Sequence, residues 1–181
     1  VVGPGIGRVD PSFIRDIITS STVPLVLDAD GLNNIAGSVE ILTSAKAPIV
    51  ITPHPGEMAR LIGKDTGFVQ NNRIAVATDF SRKYRVITVL KGARTIISSE
   101  EGTVYINPTG NPSMATGGMG DVLSGLIGGF IARGLSPLSA SILGVYLHGL
   151  AGDILSKEKE RVLAQEVAEE IPRLLRSMMD H

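Results

Sequence analysis

The sequence of 181 residues contains no cysteine and only short blocks of like charge. The lack of cysteine excludes disulfide bonds and thiolate metal sites, and it fits a reducing compartment. No charged segment followed by an apolar one opens the sequence, and we identify no apolar run that approaches the roughly 18–20 residues needed to cross a membrane. We therefore expect a cytoplasmic protein without a membrane partner.

The balance of charge excludes a second class of partner. Lysine and arginine total 17, aspartate and glutamate total 18, and the net charge is −1. This composition lacks the basic surface that nucleic acids require, so we expect small-molecule ligands. A Gly-Lys-Ser/Thr sequence is also absent, which excludes a P-loop nucleotide site. With 43% hydrophobic residues the chain has enough apolar material for one domain, spanning 1–181.

Glycine, in contrast, is abundant, with 21 residues against an average share of about 7%. Glycines at this density usually mark close approaches of the backbone to a ligand or to another segment. The first residue is Val1 rather than methionine, and 1–7 is typical of a strand end that leads into a glycine-rich loop. We expect the chain to begin inside a domain.

Short apolar runs alternate with helical patterns along the chain. Buried strands are predicted at 24–28, 47–52 and 86–90, and a hairpin at 95–98 and 103–106. Helices are predicted from Asp10-Pro11, at 36–44, 58–62, 71–84 and 122–131, from Ser136-Pro137, and at 163–179 with a kink or restart at Pro172. This alternation predicts an α/β domain with a mainly parallel central sheet and helices on both faces.

Polar clusters follow the predicted strands directly. They are Asp28 with Asp30, His54 with Glu57, Lys91 with Arg94, and the segment 111–121. Ligands of open α/β sheets bind outside the carboxyl ends of the strands, so we expect these clusters to share one edge of the sheet.

The segment 111–130 joins a polar, glycine-rich loop to an apolar helix through Asp121. The first amide groups of a helix have no internal acceptor and carry a partial positive charge, so this junction suits a phosphate. Asp121 is placed to take a proton from a hydroxyl that attacks a phosphoryl group. The alternative is that Asp121 only provides a favourable charge at the helix start.

The other polar residues also allow two interpretations each. His54 is either a functional imidazole or a surface hydrogen-bonding group, and Glu57 is best explained as a first-turn helix charge. Asp28 and Asp30 either bind a metal-linked phosphate or ribose hydroxyls, or cap the following turn. Segment 91–95 suits nucleotide phosphates because it contains a lysine and an arginine. The alternative is that these two charges are simply solvated at the end of a strand. We interpret His148 and Asp153 first as packing and local hydrogen bonding, and the alternative is that they contact the site.

Five segments taken together resemble the NAD(P)H-hydrate dehydratase family of the ribokinase-like superfamily. They are Asp-Ala-Asp-Gly-Leu-Asn at 28–33, Thr-Pro-His-Pro-Gly-Glu at 52–57, Val-Leu-Lys-Gly-Ala-Arg-Thr at 89–95, the stretch 111–125, and His-Gly-Leu-Ala-Gly-Asp at 148–153. Gly-Met-Gly-Asp alone indicates only the superfamily, whereas its combination with Pro-His-Pro-Gly-Glu is specific. The resemblance covers 1 to about 153.

The resemblance implies a repair enzyme that returns hydrated NADHX and NADPHX to NADH and NADPH. It implies phosphoryl transfer from ADP or ATP to the hydrate hydroxyl, followed by loss of phosphate, with Mg²⁺ accompanying the nucleotide. Asp121 becomes the catalytic base. The implied nucleotide-binding residues are Lys91, Gly92, Ala93, Arg94, Thr95, Asn107, Thr116, Gly117, Gly118 and Gly120. The implied substrate-binding residues are Gly5, Gly7, Asp30, His54, Asn111 and Asp121.

The resemblance carries further expectations. No residue is assigned as a metal ligand, and ADP is favoured over ATP. We expect a homo-oligomer, for which a tetramer is one candidate. Family members carry a further N-terminal portion before the first glycine-rich loop, and some carry a fused epimerase domain, so we expect a truncated ribokinase-like domain. The rival function is a kinase of the same superfamily acting on a hydroxyethylthiazole-, pyrimidine- or sugar-type alcohol.

Overall fold

The computed structural model describes residues 1–179, which form five strands and eight α-helices. The strands are β1 (Leu25–Leu27), β2 (Ile49–Ile51), β3 (Ile87–Leu90), β4 (Ile96–Ser98) and β5 (Val104–Ile106). The helices are α1 (Pro11–Ser20), α2 (Asp30–Ile35), α3 (Pro55–Ile62), α4 (Thr66–Asn71), α5 (Arg73–Tyr84), α6 (Met119–Ala132), α7 (Pro137–Leu155) and α8 (Ala164–Met179). Short 3₁₀ helices occupy Val39–Ser44 and Pro112–Met114.

The strands form one sheet in the order β1-β2-β3-β4-β5. β1, β2 and β3 are parallel, and the hairpin β4-β5 continues the sheet in the antiparallel sense. Val2 forms a parallel bridge with Leu27, which confirms the strand end predicted at the start of the chain. The predicted α/β architecture is therefore confirmed.

Both faces of the sheet are covered, which explains why its strands are apolar throughout. Leu27 and Ile51 face a layer that contains α1, α2, α3 and α5. Val26 and Val50 face the opposite layer, which contains α6, α7 and α8. A strand buried on two sides cannot alternate polar and apolar residues, so it appears in the sequence as a continuous apolar run.

The helix starts follow from their first residues. The Asp10 side chain accepts a hydrogen bond from the Ser12 amide at 2.8 Å and Pro11 opens α1, as predicted. Ser136 caps α7 by accepting from the Ser139 amide at 3.2 Å. α6 begins after Gly118, which has the left-handed conformation at φ 85°.

Several predictions about helices are wrong. The helix α2, which begins at Asp30, was not predicted, and the predicted helix 36–44 is a 3₁₀ helix at Val39–Ser44. The short α4 was not predicted, and α8 continues through Pro172, which contradicts the restart that was one of the two outcomes predicted there. Contacts between elements explain these differences, since α2 packs on α1 and α3 and α8 packs on α6 and α7. Tertiary packing of this kind overrides local propensity.

One helix within residues 1–179, α7, is long and apolar enough to cross a membrane by length and composition. The expectation that no apolar stretch approaches this length therefore needs correction. α7 packs against α6, α8, β2 and β3, with part of its surface buried. A core helix that is apolar on most sides passes the same test of composition.

Candidate active site

A cavity of about 720 Å³ opens beside the carboxyl end of β3. One wall is the loop that follows β3, and another is the loop between β5 and α6. The helices α6 and α7 close the remaining sides. The lining residues are His54, Lys91, Gly92, Ala93, Arg94, Thr95, Asn107, Pro108, Thr109, Gly110, Asn111, Pro112, Met114, Ala115, Met119, Gly120, Leu123, Val145, His148 and Gly149. Strand ends thus bring together residues from distant parts of the sequence, as predicted for the fold class.

A buried group of charges lies at the base of this cavity. Lys91 Nζ donates to Asp28 Oδ1 at 2.7 Å and lies 3.8 Å from Glu57 Oε2. Asp28 is fully buried, and Glu57 is 5% exposed. The Asp28 Oδ2 atom is buried without a hydrogen-bond partner within residues 1–179. Lys91 is therefore held in one position by two carboxylates, in contrast to the solvated charge that was one interpretation.

His54 is fixed by a reciprocal cap at the start of α3. Its Nδ1 accepts from the amides of Gly56 at 3.0 Å and Glu57 at 3.3 Å. Glu57 Oε2 in turn accepts from the His54 amide at 2.7 Å. Because Nδ1 accepts hydrogen bonds, the ring hydrogen is on Nε2, which lies 3.5 Å from Glu57 Oε1. The His54 side chain is 51% exposed, so it presents a donor at the cavity.

The loop of 91–95 is held by contacts at both of its ends. Arg73, at the start of α5, donates to the Ala93 carbonyl at 2.5 Å and to the Leu90 carbonyl at 3.2 Å. Arg94 adopts the left-handed conformation at φ 56° and donates to the Pro108 carbonyl at 3.3 Å. The loop is therefore an ordered wall of the cavity.

The second wall, at 107–116, is tied to α7 and to the segment that precedes α8. Asn111 donates to Asp153 Oδ1 at 2.7 Å, and the Gly110 amide donates to Asp153 Oδ2 at 2.9 Å. Thr116 donates to the Val162 carbonyl at 2.8 Å. The Asp153 side chain therefore bonds to a segment 42 and 43 residues earlier in the chain rather than to its neighbours in sequence, and it orders residues that line the cavity.

The start of α6 meets the first wall at Gly120. A Cβ atom built at Gly120 would lie 3.2 Å from Lys91 Nζ and 3.7 Å from Asp28 Oδ2, so the backbone of α6 comes close to this ion pair. Gly118 provides no side-chain cap, and the first amides of α6 are left for another acceptor. The Asp121 side chain is exposed and does not line the cavity, although its neighbour Gly120 does.

The remaining predicted residues form a separate group near the start of the chain. Gly7 donates its amide to Asp30 Oδ2 at 2.9 Å, and the Gly7 carbonyl accepts from Asn34 at 2.9 Å. Gly5, Gly7 and Asp30 do not line the cavity. Asp28 links the two groups, because it follows β1 just before Asp30 and pairs with Lys91 in the cavity base.

His148 lines the cavity from α7, a position at the site that was the alternative to a packing role. Burial lowers the pKa of its imidazole to about 4; a hydrogen bond with the Met119 backbone opposes this shift, and the charge of Lys91 adds to it. Its Nε2 is buried without a partner within the described chain. The imidazole is therefore uncharged at neutral pH.

The cavity brings together most, but not all, of the predicted residues. Those that line it are Lys91, Gly92, Ala93, Arg94, Thr95, Asn107, Gly120, His54 and Asn111, whereas Thr116, Gly117, Gly118 and Asp121 lie beside it. Sequence reasoning missed Arg73 and Thr109. One feature of the sequence could have identified Arg73. It is the first residue of α5, where a positive charge is unfavourable because of the helix dipole, so a role outside the helix was to be expected.

Comparisons with known proteins agree with these motifs. A family model described as NAD(P)H-hydrate dehydratase matches residues 1–173. The chain belongs to this family. It is 43% identical over 182 residues to a bifunctional NAD(P)H-hydrate repair enzyme Nnr of Moorella thermoacetica, covering 98% of this chain and 34% of the relative. It is 38% identical to an ADP-dependent (S)-NAD(P)H-hydrate dehydratase of Neisseria meningitidis serogroup B, covering 93% of this chain and 58% of the relative.

A solved structure of the same family supports the fold. The ADP/ATP-dependent NAD(P)H-hydrate dehydratase of Bacillus subtilis, co-crystallised with ATP and Mg²⁺, superposes with a TM-score of 0.80 at 31% identity, covering 90% of this chain and 57% of that chain. The predicted ribokinase-like fold and family resemblance are confirmed. The chain spans between about a third and three fifths of the length of these relatives.

Proposed function

We propose that the protein binds ADP or ATP in this cavity and uses it to dehydrate NADHX and NADPHX to NADH and NADPH. The proposal rests on one observation: a single cavity is lined by Lys91, by the start of α6 and by His54. The names of the relatives in the same family support the substrate and the nucleotide. ADP is the favoured nucleotide because the Neisseria relative is ADP-dependent.

The first wall and α6 together suit the phosphates of a nucleotide. Lys91 and Arg94 provide positive charge, and Gly120 lets backbone amides approach without a side chain between them. Amides at a helix start stabilise negative charge, and more strongly where water is excluded. Gly92, Ala93, Thr95, Asn107, Thr116, Gly117 and Gly118 complete the proposed nucleotide site.

The chemical step follows from the poor leaving ability of hydroxide. The hydrate hydroxyl attacks the terminal phosphorus, its proton passes to the Asp121 carboxylate, and the bond from phosphorus to the bridging oxygen breaks. The nucleotide leaves as AMP from ADP, or as ADP from ATP. The carbon–oxygen bond of the resulting ester then breaks with loss of a proton from the neighbouring ring carbon, which releases phosphate and restores the ring double bond. The proposed hydrate-binding groups are His54, Asn111, Asp30 and the loop that contains Gly5 and Gly7.

The cavity base also fits a magnesium ion that accompanies the nucleotide. Asp28 has a buried carboxylate oxygen without a partner, beside Gly120, and Glu57 lies next to it across Lys91. Within residues 1–179, no group of three or more His, Asp or Glu side chains forms a complete metal site. An incomplete set of two carboxylates, Asp28 and Glu57, suits Mg²⁺, because this ion binds through one or two carboxylates plus water and substrate phosphates. When bound, the ion neutralises charge on the transferring phosphoryl group.

The test is to mix the protein with NADHX and either ADP or ATP in the presence of Mg²⁺. We expect NADH absorbance to return with one phosphate released for each NADH, and with ADP to be the better substrate. A stable phosphate ester without NADH would instead identify a small-molecule kinase. Nucleotide binding without either product would identify a binding module, a second candidate that the exposed position of Asp121 favours.

The same proposal extends to the assembly and location of the protein. We propose a homo-oligomer in the cytoplasm, and an association with an epimerase domain is compatible with the bifunctional Nnr relatives. Sedimentation of the purified protein tests the oligomeric state.

A further inference from the structure

Arg73 contacts the loop of the proposed nucleotide site from behind, through main-chain carbonyls only. One terminal nitrogen donates to the Ala93 carbonyl at 2.5 Å, and the other donates to the carbonyls of Leu90 at 3.2 Å and Lys91 at 3.4 Å. Arg73 comes from the start of α5, about 20 residues earlier in the chain. A single planar guanidinium thus donates hydrogen bonds to three carbonyl groups within a stretch of four residues, 90–93.

These contacts fix the direction of the amides in the same loop. In a trans peptide the carbonyl of one residue and the amide of the next point in opposite directions. The carbonyls of Lys91 and Ala93 point to Arg73, so the amides of Gly92 and Arg94 point away from it. Neither amide donates a hydrogen bond to an acceptor within residues 1–179. Both residues line the cavity, so these amides are available to a ligand there.

The local backbone supports the same arrangement. Gly92 has φ 138° and Arg94 has φ 56°, which are conformations that side chains rarely adopt. A Cβ atom built at Gly92 would lie 3.1 Å from the Arg73 guanidinium, so glycine is needed for the close approach. Successive amides in such turns form concave sites for anions.

The charge of Arg73 is not balanced by a carboxylate in the described part of the chain, where each ion pair involves other residues. The guanidinium is partly buried, and burial lowers its pKa from the usual range of arginine. A positive charge that is held by carbonyl oxygens alone adds to the attraction of an anion on the other side of the loop.

We infer that Arg73 is a positioning residue for the nucleotide: by holding the carbonyls of Leu90, Lys91 and Ala93, it directs the amides of Gly92 and Arg94 to a phosphate group. The inference rests on the proposed function, because it takes a nucleotide phosphate as the ligand. Arg73 itself does not touch the ligand, so it acts through the loop.

The test compares Arg73→Met and Arg73→Lys with Arg82→Met as the matched control. Arg82 is on the same helix and also donates to a loop carbonyl, that of Glu101 at 2.9 Å, but in the β4-β5 turn away from the cavity. ADP affinity is measured by titration calorimetry, the Gly92 and Arg94 amides by NMR with and without ADP, and folding by thermal denaturation.

We expect Arg73→Met to weaken ADP binding about tenfold or more, with Arg73→Lys between it and the wild type because an ammonium group cannot span the carbonyls. Arg82→Met should bind ADP within about twofold of the wild type. Dehydration should show a raised KM for ADP with kcat little changed, since the loop positions the ground state and the transition state alike. The ADP-induced shifts of the Gly92 and Arg94 amides should shrink in both Arg73 variants.

Wild-type ADP affinity in a folded Arg73→Met protein would overturn the inference, and if that variant does not fold, the same result in Arg73→Lys would do so. A wild-type protein that binds ADP and depends on Arg73, yet does not dehydrate NADHX, would support this inference and refute only the proposed reaction. A wild-type protein with affinity for neither ADP nor ATP would refute both.

Discussion

Lys91 Nζ and Asp28 Oδ1, which are 63 residues apart in the sequence, form a 2.7 Å ion pair under the first turn of α6. The pair joins the end of β3 to the end of β1 across β2, and Glu57 from the start of α3 adds a second carboxylate at 3.8 Å. The side chain of Asp28 is 1% exposed and that of Lys91 is 18% exposed. The base of the cavity therefore holds one ammonium group between two carboxylates.

Replacing Lys91 by methionine should strongly destabilise the fold. It leaves the buried Asp28 carboxylate without its partner, and breaking a buried pair on one side costs about 3–5 kcal/mol. Urea denaturation measures the change in the free energy of unfolding. The control is Arg173→Gln, which breaks an exposed pair with Glu170 and should cause little measurable change. Equal effects in the two variants would show that the buried pair is not structurally important.

The contact between α7 and the second wall should not tolerate a larger residue at Gly149. A Cβ atom there would lie 2.7 Å from the Thr109 carbonyl carbon and 2.9 Å from the Gly110 nitrogen, both of them main-chain atoms. We expect Gly149→Ala to lower the free energy of unfolding by about 1–3 kcal/mol because the backbone must move. Reduced affinity for ADP should accompany this change, since Thr109 and Gly110 line the cavity.

The matched control is Gly125→Ala on the exposed side of α6, where an added Cβ would meet no atom within 4 Å. Alanine is a better helix former than glycine, so this variant should gain about 0.5–1 kcal/mol. Thermal denaturation of both variants and the wild type measures these changes in stability. A Gly149→Ala protein as stable as the wild type would contradict the close packing described for this wall.

His148 should make the stability of the fold depend on pH in a defined window. Its pKa of about 4 in the folded protein lies below the ordinary value of 6.5. At a pH between these two values, His148 binds a proton in the unfolded chain but not in the folded protein. Stability should therefore fall as the pH drops from about 6.5 to about 4, by up to about 3 kcal/mol, with no contribution from this group above that window.

The measurement is the free energy of unfolding across this pH range for the wild type and two variants. His148→Leu should lose the part of the slope that comes from this imidazole. His54→Gln should keep it, because this variant leaves the buried His148 unchanged. An unchanged slope in His148→Leu would show that burial does not hold this imidazole in its neutral form.

Much of the fold could be predicted because its signals are local. Continuous apolar runs identified all three parallel strands, and Asp10-Pro11 and Ser136-Pro137 marked two helix starts. The boundary of α2 and the passage of α8 through Pro172 could not be predicted, since both depend on packing against other helices. His54 was ambiguous because its side chain replaces the usual Ser, Thr, Asp or Asn of a helix cap.

The candidate site shows the same division. The clusters after the strands could be placed on one edge of the sheet from topology alone. The pairing of Lys91 with Asp28 and the contact of Arg73 with the 91–95 loop could not, because both join residues that are distant in the sequence through side-chain geometry. The exposed position of Asp121 is likewise a property of the assembled structure, and its role as the base remains a prediction.

The most direct test of the account is the rate of NADH formation from NADHX and ADP by the Asp121→Asn variant, with ADP affinity measured on the same preparation. We expect a rate lower by about a thousandfold or more, because asparagine cannot accept the proton of the attacking hydroxyl. Its affinity for ADP should stay within about twofold of the wild type. An Asp121→Asn protein that forms NADH at the wild-type rate would contradict the account.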